Sequence, residues 1–174
     1  MRLRRYTLAD RAICLELFKS NLPELFGPEE LGIFTAYIDA PTGPYFLLED
    51  DHGVAVACGG FTIEAPDQAR LNWGVVGRQW HRVGYAMLLL YARLSRLIRL
   101  YPAVQRVDTH ISHYIVTFYE SAGFAVDRVT EQGYGPDLNR YDVHLDLSPP
   151  ARARIAEQFA ELARRAGFHD DLPP

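Results

Sequence analysis

The chain has 174 residues, 48% of them hydrophobic and 12% aromatic, which excludes a disordered protein and predicts one domain able to bury its own core. The formal net charge of −4 argues against a general nucleic-acid binder. The basic start "MRLRRYTLADR" lacks the apolar stretch of a signal peptide, and no run reaches the roughly 18 apolar residues of a membrane span, so a cytoplasmic protein is expected.

"RLRRY" predicts a first strand, and Thr7 with Asp10 three residues on resembles a capping box with Asp in place of the usual Glu. A helix follows over 8–21, ended by Pro23, and Pro28 opens a shorter one over 27–39. The runs "YFLLED" and "VAVACGGFTI" flank "DHG", a hairpin turn, and "ARLNWGVVG" is a further strand after the turn "APDQ". A helix over 83–101 sets Met87, Leu90, Leu94, Leu97 and Tyr101 along one face, and Pro102 stops it. On the same helix Arg93, Arg96 and Arg99 recur every third residue and read as a solvated face.

"VQRVDTHI" is a strand and "YIVTFYESAG" a short helix, with Gly123 suited to its end. "FAVDRVT" and "RYDVHLDL" are two strands around the loop "EQGYGPDLN". Beyond "SPP", a helix lines up Ile155, Phe159, Leu162 and Ala166 and pairs Glu161 with Arg165 on its other face. The order β α α β β β α β α β β, then an added helix, is that of a mixed α/β layer fold. Cys14 and Cys58 sit in apolar runs and read as buried, reduced thiols.

The long helix begins without a Ser, Thr, Asp or Asn cap. The first N–H groups of a helix lack intrahelical partners and carry the positive end of its dipole, so a phosphate is a natural partner for them. Gly84 and Ala86 keep side-chain bulk away from that backbone, and Arg78, His81 and Arg82 bring positive charge to it.

The stretch "VVGRQWHRVGYAMLLL" resembles the acyl-CoA-binding motif of the GNAT superfamily of N-acetyltransferases: an apolar strand end, Gln or Arg, two residues, Gly, one residue, then Gly or Ala. Here His81 stands for the Gln or Arg, and Arg82 occupies a position that is often glycine. "SHYIVTFYESAGF" resembles the family's later motif, and "RLRRYTLADRAICLELF" its opening strand and helix. The resemblance implies a GNAT-like domain over 1–147, with a central mixed, largely antiparallel sheet flanked by helices, and a C-terminal helical extension over 148–174. It also implies transfer of an acetyl (or other acyl) group from acetyl-CoA to a primary amine by direct attack. Val76 would bind the pantetheine arm, with His81, Arg82, Val83, Gly84, Tyr85 and Ala86 around the pyrophosphate, Ser112 on the arm and Tyr119 as general acid. No metal is implied; a polar strand end accounts for His110 and His113.

No base is evident. Some family members carry a Glu on the strand entering the CoA loop, but Arg70, Asn72 and Trp73 cannot serve, which leaves Glu64, Asp108, His110 and His113. A lysine amine is neutral in only about 0.04% of molecules at pH 7 and an α-amine in roughly 14%. An enzyme without a strong base is therefore expected to favour weakly basic amines. In this family the acceptor is chosen by segments that read here "LPELFGPEEL" and "TEQGYGPDLNRY". Glu24, Glu29 and Glu30 would attract a cation or form a solvated face, and Phe26, Tyr134 and Tyr141 would line the pocket or the core. The expected partners are acetyl-CoA and a small-molecule or peptide amine, with no nucleic acid and no membrane; the C-terminal helix covers either an apolar patch of its own chain or a second copy in a homodimer. The contrasting reading is a non-catalytic CoA-binding sensor or regulatory module.

Overall fold

The computed structural model describes residues 1–170. The chain runs β1 (Arg2–Arg5), α1 (Arg11–Lys19), α2 (Glu30–Asp39), β2 (Tyr45–Glu49), β3 (Ala55–Ala65), β4 (Gln68–Val76), α3 (Tyr85–Leu100) and β5 (Arg106–Ser112). It continues through α4 (Val116–Ser121), β6 (Ala125–Thr130), β7 (Arg140–Asp146), α5 (Pro149–Arg165) and β8 (His169–Asp170). The strands form one sheet in the order β6-β7-β5-β4-β3-β2-β1-β8. Among the described strands, only β4–β5 and β1–β8 are parallel pairs. The expected order of elements is present, and β8 is a strand that no sequence pattern announces.

Local chemistry explains the boundaries. Asp10 accepts from the Thr7 N–H at 2.8 Å and its hydroxyl at 3.0 Å, which fixes the entry to α1. Helix α2 starts at Glu30, three residues later than Gly27, because the Glu30 carboxylate takes the Gly27 N–H at 2.7 Å and ties up the turn before it. Helix α3 is built mostly of Leu, Ala, Met and Arg, strong helix formers, and ends just before Pro102. In α5 the Ser148 hydroxyl caps the first turn, with prolines in the opening positions.

Two apolar layers sandwich the sheet. Helices α1 and α2 supply Cys14, Leu17, Phe18, Phe34 and Ile38 to one face. Helix α3 covers the other, joined by Tyr119 from α4 and Ile155 from α5. Phe159 and Leu162 of α5 and Ala166 just after it pack against that second layer, and Glu161 pairs with both Arg164 and Arg165 at 2.5 Å. Both cysteines are buried and free.

The arginine flank of α3 is not a solvated face. Arg93 is 2% exposed and Arg96 3%, because α3 lies between the sheet and α5 and has little free circumference. Arg96 instead meets Asp170 of β8 at 3.1 Å and lies over the Phe46 ring, 5.9 Å from its centre. Arg99, half exposed, reaches the same carboxylate at 3.4 Å. The short β8 thus brings a carboxylate within reach of two of the α3 arginines.

Candidate active site

The sheet opens at its centre. β4 and β5 pair only over three residues, Gln68, Ala69 and Arg70 against Arg106, Val107 and Asp108. Beyond them β4 stays with β3 while β5 follows β7. The Thr109 hydroxyl bonds the Leu71 carbonyl at 3.1 Å at the point of parting. Between the pairs Gly60↔Asn72 and Cys58↔Val75, β4 carries one residue more than β3, a bulge at Trp73–Gly74 in which Trp73 has φ 42°. Bulges twist and bend a strand, and this one lies just beyond the point where β4 leaves β5.

At the end of β4 the chain makes a tight turn over Arg78–Trp80 and enters α3 through Gly84. Gly84 has φ 95° and Arg82 φ 64°, while a Cβ on Gly84 would meet nothing within 4 Å. Its backbone conformation, more than space, therefore asks for glycine. No acceptor among the described residues takes the N–H groups of residues 82–87, and Arg82, Val83, Gly84 and Ala86 are exposed, with His81 and Tyr85 half-buried. Of the expected positive charges, Arg78 is paired with Glu24 at 2.6 Å, whereas Arg82 has no such partner among the described residues. The carbonyl of Val76, the residue expected to hold the pantetheine arm through its backbone, already lies 2.9 Å from Asn21 Nδ2 and 3.1 Å from His81 Nε2.

Across the opening, β5 ends at Ser112, whose hydroxyl is buried with no partner among the described residues. Tyr119 follows on α4 with its ring edge-on to Phe118 and Phe124, at centroid distances of 5.2 and 5.1 Å. It is 7% exposed, and its hydroxyl makes no hydrogen bond among the described residues. Gly123, at φ 97°, ends the helix, and the Phe124 N–H returns to the Tyr119 carbonyl at 3.1 Å.

The base candidates separate by what already holds them. Glu64 receives Arg70 at 2.6 and 2.9 Å. Asp108 accepts from Gln68 at 2.7 Å and Arg106 at 2.9 Å. His113 Nδ1 accepts the Asn139 N–H at 3.2 Å and fixes a loop. His110 differs: Nδ1 lies 2.5 Å from the Tyr134 hydroxyl. Burial of the inner part of the ring, helped by the charges of Arg140 and Arg70, lowers its pKa to about 4, although the residue keeps an exposed side. Its imidazole is therefore neutral at pH 7.

Sequence reasoning missed the depth of Glu30 and Tyr134. Glu30 is 8% exposed, and burial raises its pKa to about 7 against the opposing Gly27 hydrogen bond. Burial and then the Glu30 charge raise the Tyr134 phenol, with a smaller push from Tyr119. The α1–α2 and β6–β7 connections touch here: a Cβ on Gly27 would stand 2.3 Å from the Tyr134 carbonyl oxygen. Trp73 on the bulge packs near Phe34, 5.3 Å between centroids, and Phe26, 6.4 Å. Tyr141 packs with the α3 side of the core. Two surface depressions of about 440 and 680 Å³ lie elsewhere, at the start of α5.

Compared by sequence, the chain matches no family model and no curated protein. Solved structures are similar in fold. A Desulfovibrio desulfuricans protein assigned to the acetyltransferases of the GNAT family shares 20% identity, with a TM-score of 0.66 over 84% of this chain and 98% of that one. The ribosomal-protein-alanine N-acetyltransferase of Brucella melitensis gives 16% identity and a TM-score of 0.66 over 83% and 99%. Ard1 of Thermoplasma volcanium gives 17% and 0.65 over 84% and 97%. At these identities the likeness is one of architecture: the chain has the GNAT acetyltransferase fold. No helix among the described residues is long and apolar enough to cross a membrane.

Proposed function

We propose that the protein is an N-acyltransferase that moves an acetyl group from acetyl-CoA to a primary amine by direct attack. The observation that carries the reading is the run of unbonded N–H groups over residues 82–87, at the start of α3 and beside the opening between β4 and β5. Those groups, with the Arg82 charge and the helix dipole, would hold the CoA pyrophosphate. The arm would then run back along β4, with the unpaired Ser112 hydroxyl available to one of its amides. Because two side chains already face the Val76 carbonyl, Val76 would meet the arm by displacing His81 or through its other atoms.

The amine lone pair attacks the thioester carbonyl carbon, and the C–S bond breaks as the tetrahedral intermediate collapses. The departing thiolate takes a proton from the Tyr119 hydroxyl, which is free to donate. The proton lost by the attacking nitrogen goes to Nε2 of His110, with Nδ1–H directed at the Tyr134 oxygen. An imidazole with a pKa of about 4 is a weak base, so it serves an acceptor that arrives neutral. This favours α-amines or aryl amines over lysine side chains.

Calorimetric titration with acetyl-CoA tests the reading, with Arg82→Glu and Gly84→Glu alongside. One-to-one binding is expected, lost in both variants while they remain folded. Absence of binding to the folded wild-type protein would remove the function.

A further inference from the structure

One of the arginines on α3 has no part in the reaction as described. Arg93 is 2% exposed, yet no carboxylate among the described residues pairs with it. Its Nε reaches the Leu89 carbonyl at 3.4 Å, and Nη1 reaches the carbonyls of Gly60 and Asn72 at 3.3 and 3.4 Å. A buried ion costs several kcal/mol even after the protein relaxes around it, and long bonds to neutral carbonyls return only part of that. Arg96, one turn further on, meets a carboxylate at 3.1 Å. Arg93 does without.

Two glycines house the guanidinium. A Cβ on Gly59 would lie 3.0 Å from Nη1, and one on Gly74 2.7 Å from Nη2. Gly74 belongs to the bulge of β4, and the Asn72 carbonyl that takes Nη1 lies just before it. The cation is thus wedged under the bulge, where β4 has left β5. On the opposite face burial raises the Tyr37 phenol, against hydrogen bonds with Asn72, Thr42 and Thr62 and, least of these, the Arg93 charge.

We infer that Arg93 is an electrostatic positioning residue for acyl transfer, holding the β4 bulge in shape and keeping a fixed positive charge beneath the thioester carbonyl. The inference rests on the acyl-transfer reading, in which the acyl end of the arm lies along β4 toward the bulge. Negative charge that develops on the carbonyl oxygen then meets a charge already in place, with no reorganisation needed at the moment of reaction. Donation to the Asn72 carbonyl polarises the Asn72–Trp73 peptide as well, making its N–H a stronger donor.

Infrared spectroscopy of acetyl-CoA labelled with ¹³C at the thioester carbonyl tests this without knowledge of the acceptor. The wild-type protein is compared with Arg93→Met and Arg93→Lys for band position, acetyl-CoA affinity, CoA release with amines, and melting temperature. The bound carbonyl is expected to absorb at lower frequency than free acetyl-CoA, to move back in Arg93→Met and to stay low in Arg93→Lys. Arg93→Met should keep its affinity for acetyl-CoA, lose about 10- to 100-fold in turnover and melt no lower than wild type. Gly74→Ala, which pushes the guanidinium aside, should move the band as Arg93→Met does and covers the case in which that variant does not fold. An unchanged band in a folded Arg93→Met or Gly74→Ala protein overturns the inference. So does a loss of turnover matched by loss of folded protein. Failure of the wild type to bind acetyl-CoA removes the acyl-transfer reading itself, and the inference with it.

Discussion

Replacing Glu30 by Gln removes a carboxyl that the fold buries and keeps an oxygen that can accept the Gly27 N–H. In the folded protein Glu30 holds its proton to about pH 7, against an ordinary value of 4.5. Because the folded pKa is the higher one, the folded state is favoured most below about pH 4.5 and loses stability as the pH rises to about 7. Above that the loss is constant. A shift of about 2.5 units corresponds to about 3 kcal/mol in full and to less than about 1 kcal/mol at pH 5. Glu30→Gln should therefore unfold like wild type near pH 5 and be about 3 kcal/mol more stable near pH 8. For a chain of this size that is a midpoint about 6–12 °C higher. Urea titrations and thermal melts at the two pH values measure it. Equal stability near pH 8 would refute the reasoning, since it would mean that the folded protein solvates this carboxylate as well as water does.

Two further outcomes follow from the site. Tyr119→Phe should reduce turnover by about 10²–10⁴-fold while acetyl-CoA binding, read by calorimetry, stays the same; a protein that binds acetyl-CoA but never releases CoA with any amine would instead be a sensor. The pH profile of kcat/KM with an α-amine acceptor should rise with the ionisation of that amine and show no limb near 6.5, because His110 is neutral above about pH 4. A limb near 6.5 that disappears in His110→Gln would mean that the imidazole titrates like one in water.

The order of elements, and the two segments that suggest acyl transfer, were legible in the sequence. Periodicity marks α3 and α5, prolines and glycines mark the turns, and the left-handed step at Gly84 belongs to a residue type that announces it. The spacing from Tyr119 to Gly123 likewise follows from how a short helix ends.

Other features depended on distant pairings that local pattern does not encode. The three arginines of α3 have the spacing of a wet face, and only the enclosure of that helix by the sheet and α5 buries two of them. β8 is a strand because it lies beside Arg2 and Leu3, and a two-residue segment has no period to read. Glu30 sits in a polar stretch, and its raised pKa comes from the contact of two loops far apart in the chain. The pairing of His110 with Tyr134, 24 residues on, exists because β7 returns beside β5. Sequence determined the elements through spacing and backbone preference. Burial and charge were decided by which elements came to lie against each other.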